Sequence, residues 1–190
     1  MTRVNGRWPG QLRRSAARLL TLPTTQQMRW LDFSGAPPML IPQSLVPFWR
    51  GTTDRATGSY RKLNTEQPVT DYDRACAAAW PERSVLDFMG VPVLVLYTEF
   101  DLHTWDPDRR IVACGGWLPS DDDFRRATWT DRVAWQTRET NLLLINSAVD
   151  AEGGMRDDDY FPLHLEAGSY TIEYSYIEGE SVGCFHRFIS

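Results

Sequence analysis

Apolar residues in this chain occur in short runs and in strict alternation, and only rarely at helical spacing. From Trp129 onward, "RVAWQT", "NLLLINSA", "YFPLHL", "SYTIEYSYI" and "CFHRFI" are separated by the turn-forming "RET", "DAEGGMRDDD", "EAGS" and "EGESVG", which predicts five strands. In "SYTIEYSYI", Tyr170, Ile172, Tyr174 and Tyr176 share one face, and Ser169, Thr171, Glu173 and Ser175 share the other. That period of two predicts an antiparallel strand with one core face and one solvated face. Folded sequence is expected to begin near Met28, with a short strand in "MRWLDFSG". In "PPMLIPQSLVPFW", Pro42 and Pro47 limit an apolar run to a strand and one helical turn. Further strands are predicted near 85–89, 92–98 and 110–117, with Gly90, Pro92 and Asp106-Pro107-Asp108 supplying turn chemistry. Residues 51–69 are polar without apolar period and read as a long, mobile loop.

Two segments break the strand pattern. "TDYDRACAAAW" carries an alanine run of high helix propensity, and Pro81 disfavours helix at Trp80. Thr70 or Asp71 is the expected N-cap, and Asp73 lies in the first turn, where a negative charge complements the helix dipole. Tyr72, Cys76 and Ala79 then fall on one face, predicted to pack inward. "SDDDFRRA" repeats the logic: Ser120 caps, acids follow, and Arg125 and Arg126 close a short helix at about 121–128. The predicted fold is therefore mainly β with minor α: antiparallel sheets in a sandwich or open-barrel-like arrangement, with one or two short helices. Residues 1–27 read as a basic, disordered extension and 28–190 as a single domain, or as two β-rich halves at about 28–128 and 129–190. Each half sets an apolar strand ("MLIPQS", "LLLINS") before an Asp-Tyr segment ("DYDRAC", "DDDYFPL"), which suggests a degenerate internal duplication.

At 190 residues, 42% hydrophobic and 24% charged, the composition is that of a soluble globular chain, and 12% aromatics with 12 Pro and 13 Gly strengthen the strand reading. The formal charge of −5 hides an asymmetry: residues 1–27 hold five arginines and no acid, so the body carries −10. Such a surface repels phosphate backbones and steers basic partners toward it, which argues against direct nucleic-acid binding and for protein binding. Cys76, Cys114 and Cys184 are three widely spaced cysteines without a CxxC pair, so neither a disulfide framework nor a zinc ribbon is written, and a reducing cytoplasm fits. The apolar part of "RRSAARLLTLP" is interrupted by Arg18 and too short to span a bilayer, so no signal peptide or anchor is read there. Its basic, acid-free character also fits an organellar leader, or a translation start placed upstream of Met28.

Candidate chemistry is sparse. Asp71 and Asp73 could hold a metal and Cys76 could be a nucleophile, but two carboxylates two apart on a helix do not face one another, so capping and packing are the stronger reading. In "EFDLH", Glu99, Asp101 and His103 would share a face if a strand ran straight through, which would suit a divalent metal, a small ligand or an unrecognised enzyme site. The acid-rich "DAEGGMRDDD" lacks the ligand spacing of an EF-hand loop. No P-loop, GxGxxG or HExxH occurs, and His164 and His186 read as structural, so an enzyme assignment has no constellation behind it. No cofactor is expected.

"GAPPMLIPQSLVPFWRG", "DYDRAC" and "VLVLYTEFDLHTW", in that order, resemble the signature stretches of the immunity protein 21 family of bacterial polymorphic toxin systems. The tail "LEAGSYTIEYSYIEGESVGCFHRFI" is similar to that family's closing strands, and the resemblance covers about residues 29–189. The sequence departs from the pattern at Gly35-Ala36-Pro37, where the family has Gly-Gly-Pro, and at Tyr97-Thr98-Glu99-Phe100, where it has Gly-Asp-Glu-Pro. The segment after Cys76 is also extended by "WPERSVLDFM". The resemblance implies a non-enzymatic protein, encoded beside a toxin, that binds and neutralises it, and it carries over no catalytic residues. With the −10 body, a basic toxin such as a nuclease is the expected partner. Charge and loop placement nominate Asp121, Asp122, Asp157, Asp158 and Asp159 as contacts, with whichever of Trp49, Trp105 and Trp117 are exposed.

Overall fold

Unbroken apolar runs mark strands that are covered on both faces. A computed structural model describes residues 29–59, 61–79, 84–150, 160–178 and 181–190. One sheet takes, in spatial order, β1 (Leu31–Asp32), β5 (Leu102–Asp106), β6 (Ile111–Cys114), β11 (Val182–Ile189), β10 (Gly168–Glu178) and β7 (Thr130–Thr137). The other takes β3 (Val85–Phe88), β4 (Val91–Val95), β2 (Pro38–Pro42), β8 (Asn141–Asn146) and β9 (Tyr160–His164). All pairings are antiparallel, and the sheets are open rather than closed into a barrel.

The sheets pack face to face over a core of Leu40, Leu94, Leu142 and Leu144 from one and Val112, Trp135, Ile172 and Phe188 from the other. The outer face of the β2 sheet is buried under α1 (Asp71–Ala78) and the 3-10 turn Gln43–Phe48, where Met39, Ile41, Val93 and Ile145 meet Trp49, Ala75 and Phe88. The outer face of the β11 sheet is covered around Ile111, Ala113 and Phe185 by Phe124 of α2 (Asp121–Arg126) with Trp117 and Trp129. Burial on both faces explains why "PMLIP" and "IVAC" are apolar throughout, since neither side of those strands meets water.

Both helices start as predicted. Thr70 caps α1 in a reciprocal box with Asp73, and Ser120 caps α2 by accepting the Asp123 N–H. Two readings need correction. On α1 the inward residues are Asp71, Asp73, Ala75 and Ala78, while Tyr72 and Cys76 are only partly buried. On β10 the face expected to be wet is covered: Glu173 and Ser175 are buried, whereas Tyr176, assigned to the core face, is 48% exposed. The α2 layer shields Glu173, whose carboxylate accepts from Arg187, and that guanidinium lies 4.2 Å over Trp129. Strand β5 was not anticipated either, because "LHTWD" carries no clean alternation.

Strands from both sides of residue 128 enter both sheets, so neither sheet is complete without the other half. Exchanging β1 with β7, β2 with β8, β4 with β9, β5 with β10 and β6 with β11 maps the sheet orders onto themselves, leaving only β3 without a counterpart. The segments "MLIPQS" and "LLLINS" are central neighbours about this pseudo-twofold, with Leu40 opposite Leu144. Cys114 and Cys184 face each other across the same axis in the second sheet.

Candidate functional site

The carboxylates of "TDYDRAC" are the first test of whether reactive groups here do chemistry. Asp73 is 1% exposed and accepts the backbone N–H groups of Asn64 (2.8 Å), Val69 (2.9 Å) and Thr70 (2.9 Å). Burial alone would raise its carboxyl, but those N–H donors outweigh the desolvation and hold it below the usual range. Asp71 accepts from the Arg50 N–H and the Arg55 guanidinium and lies 3.7 Å from Arg74. Asp54 does the same inside the preceding loop, taking the Ala56 N–H and an Arg61 ion pair. Gly51 sits at φ +49°, and a Cβ there would lie 2.3 Å from the Ala148 carbonyl, so only glycine lets this loop leave β8 so closely. The described residues of the 51–69 loop are thus tied down through three aspartates. The motif is a knot.

The other residues nominated from sequence scatter. Trp49 is 0% exposed and donates to the Ser147 carbonyl, so the condition of exposure removes it as a contact. Trp105 packs edge-on against Phe188 and Trp117 against Phe185, both partly buried. Asp121 and Asp122 are exposed at the start of α2 but paired with Arg109 and Arg125, and Asp123 pairs with Arg126, which leaves that helix electrically balanced. Asp157, Asp158 and Asp159 lie outside the described residues. Glu99, Asp101 and His103 do not converge: β5 begins only at Leu102, so both carboxylates stay exposed in the preceding loop while the imidazole enters the core.

Sequence reasoning missed an exposed apolar end of the sandwich. Phe100 stacks on Tyr176 at 6.3 Å, Leu102 is 41% exposed, and Val182 is exposed beside them. Two glycines hold the patch together. A Cβ at Gly115 would lie 2.8 Å from the Val182 carbonyl and 3.6 Å from the Phe100 ring, and one at Gly116 would lie 3.1 Å from Leu102. Exposed Glu99, Asp101 and Glu178 flank these residues in sequence, and exposed Asp32 lies opposite Leu102 on β1. The available signal was the Tyr in a strand's last turn of alternation next to "EGES", and it was read as core.

Beneath this end lies a row of buried thiols and imidazoles. His103 on β5 is directly opposite Cys114 on β6, and Cys114 is opposite Cys184 on β11, so the three share the face between the sheets. His186, two residues along β11 from Cys184, is on that face too, and donor atoms of Cys114, Cys184 and His186 lie within 4.8 Å of one another. Hydrogen bonding shared with Cys114 and, less strongly, with His186 pulls the Cys184 thiol down to about 5, whereas burial pushes Cys114 well above its ordinary value. His103, 0% exposed and stacked on Phe33 at 4.8 Å, has no hydrogen-bond partner for either ring nitrogen. Burial drives it down to about 4, opposed in part by the nearby Asp101 backbone, which forms no well-aligned hydrogen bond with the ring. A cavity of about 10 Å³ adjoins His186, lined by Ser84, Tyr97 and Tyr174, the space of about one water.

Fold and surface together define a β-sandwich covered on both sides, with its described thiols largely buried and an apolar, acid-flanked end open to contact. The chain belongs to the immunity protein 21 family, whose model matches residues 29–182, and that family implies an immunity protein of a toxin system. No curated protein and no solved structure matches it. No helix among the described residues is long and apolar enough to cross a membrane.

Proposed function

We propose that this protein neutralises a cognate toxin domain by stoichiometric binding in the cytoplasm, without catalysis, and that the open end formed by Phe100, Leu102, Tyr176 and Val182 is the docking face. The observation that carries this reading is a solvent-exposed aromatic and aliphatic cluster with four carboxylates beside it, on a body of charge −10. Aromatic anchors within an acidic surround match a basic partner such as a nuclease, whose phosphate-binding groove supplies complementary charge. Family membership supports the toxin partner. Asp121 and Asp122 fit less well, because their arginine neighbours cancel the field they would present.

The test is co-expression with the toxin encoded beside this gene, paired with gel filtration and binding kinetics. Tyr176→Ala together with Leu102→Ala is expected to weaken the complex by about 2 kcal/mol or more, about thirtyfold, mostly through faster dissociation. Reversing Glu99 and Asp101 to lysine is expected to slow association and flatten its salt dependence. Survival of toxin-expressing cells that does not require this protein, with no complex on the column, would overturn the reading.

A further inference from the structure

We propose that Cys114, Cys184 and His186 form a buried site for a soft or borderline closed-shell cation, Zn²⁺ or Cu⁺, with His103 as the fourth donor. The donor set is two thiols and an imidazole whose ligand atoms already lie within 4.8 Å of one another, brought there by strand register rather than by local sequence spacing. Soft thiolate and imidazole ligands select these cations over Mg²⁺ or Ca²⁺.

The His186 ring is set for this role. Its Nε2 lies 2.7 Å from the Tyr97 carbonyl, which can only accept, so Nε2 carries the proton. The lone pair therefore belongs to Nδ1, the nitrogen left to face Cys184. A backbone carbonyl fixing the far nitrogen is the outer support that metal-bound histidines characteristically have.

His103 supplies the second, independent observation. A fully buried imidazole with both nitrogens unpartnered calls for an explanation, and register places it beside Cys114 in the same row. It lies outside the three-residue cluster, and its ring would have to move toward Cys114 to complete a tetrahedron. On binding, each thiol releases its proton and Nδ1 donates its lone pair, so loading liberates protons and staples β5, β6 and β11. Cys76, on α1 over the opposite sheet, takes no part.

The experiment uses the full chain, freed of metal under reducing, air-free conditions. One arm titrates Zn²⁺, with Co²⁺ as its spectroscopic stand-in; the other titrates Cu⁺ against a chromophoric competitor. Binding of about one equivalent in either arm, with a higher melting temperature and, for Co²⁺, thiolate charge-transfer and tetrahedral d–d bands, is the expected result. Cys184→Ala and Cys114→Ala should each lower affinity by more than about 100-fold, beyond the loss typical of an outer partner. His103→Phe should retain binding with an altered cobalt spectrum, and Cys76→Ala should match wild type. Because a cysteine variant could misfold, near-UV circular dichroism is recorded on each. No uptake of Zn²⁺, Co²⁺ or Cu⁺ by folded wild-type protein overturns the proposal, as does undiminished affinity in a folded Cys184→Ala variant.

Discussion

Two sets of buried polar groups sit on opposite sheets of this molecule and are treated oppositely. Around the start of α1, Asp71 and Asp73 are almost fully buried, yet each oxygen has an N–H or guanidinium partner, mostly from the loop they gather and, for one Asp71 oxygen, from Arg74 of α1 at 3.7 Å. Between the sheets, His103 is as deeply buried and both its nitrogens lack partners. A satisfied buried carboxylate holds structure in place, whereas an orphaned imidazole costs stability unless something else binds it. The reactive-looking cluster read in sequence as capping and packing is satisfied in that role, and the histidine that sequence placed in a possible surface site is the chemically unfinished one.

The largest expected effect breaks the satisfied side. Asp73→Ala strands three backbone N–H donors and opens the capping box, so urea denaturation should show a loss of about 3–4 kcal/mol; a loss under about 1 kcal/mol would mean that the 51–69 loop is not held by this carboxylate.

Next in size is a pH test of the orphaned side. His103 has a folded pKa of about 4 against 6.5 when free, so its neutral form favours folding above pH 6.5 and that stability drains away as pH falls from 6.5 through 4. The full loss is about 3 kcal/mol. The depressed Asp73 carboxyl contributes its share above the free value of 3.8 and loses it only at lower pH, so it does not account for this window. Because Cys184 also titrates near pH 5, the readout is the difference between wild type and His103→Leu, measured on metal-free protein. The variant should lack the His103 component and be neutral or about 1 kcal/mol more stable at pH 7; a loss above about 2 kcal/mol would show that the imidazole has a partner.

The smallest effect belongs to the surface. Asp122→Asn, which removes an exposed partner of Arg125, should change stability by less than about 0.5 kcal/mol and leave toxin protection unaltered. A clear loss of protection there would move the docking face from the strand ends to α2.

Local patterns that depend only on neighbouring residues were legible in the chain. Thr70 and Ser120 cap their helices as their spacing to Asp73 and Asp123 requires, and the apolar runs at 38–42, 91–95 and 141–146 are strands. The paired segments "MLIPQS" and "LLLINS" also foreshadowed the symmetric sheet order. Faces were less legible. The α2 layer buries Glu173 and Ser175, and the open end exposes Tyr176, which alternation within one strand cannot report.

The sequence by itself determined that the chain is β-rich, where its helices begin, and which family it belongs to, because capping, turn chemistry and ordered motifs act over a few residues. Only the tertiary structure decided that Asp71 and Asp73 are buried and satisfied and that Phe100 meets Tyr176. It alone brings His103, Cys114, Cys184 and His186 onto one face. Those residues stand up to 83 positions apart, and sheet register, a long-range property set by both halves together, is what places them side by side.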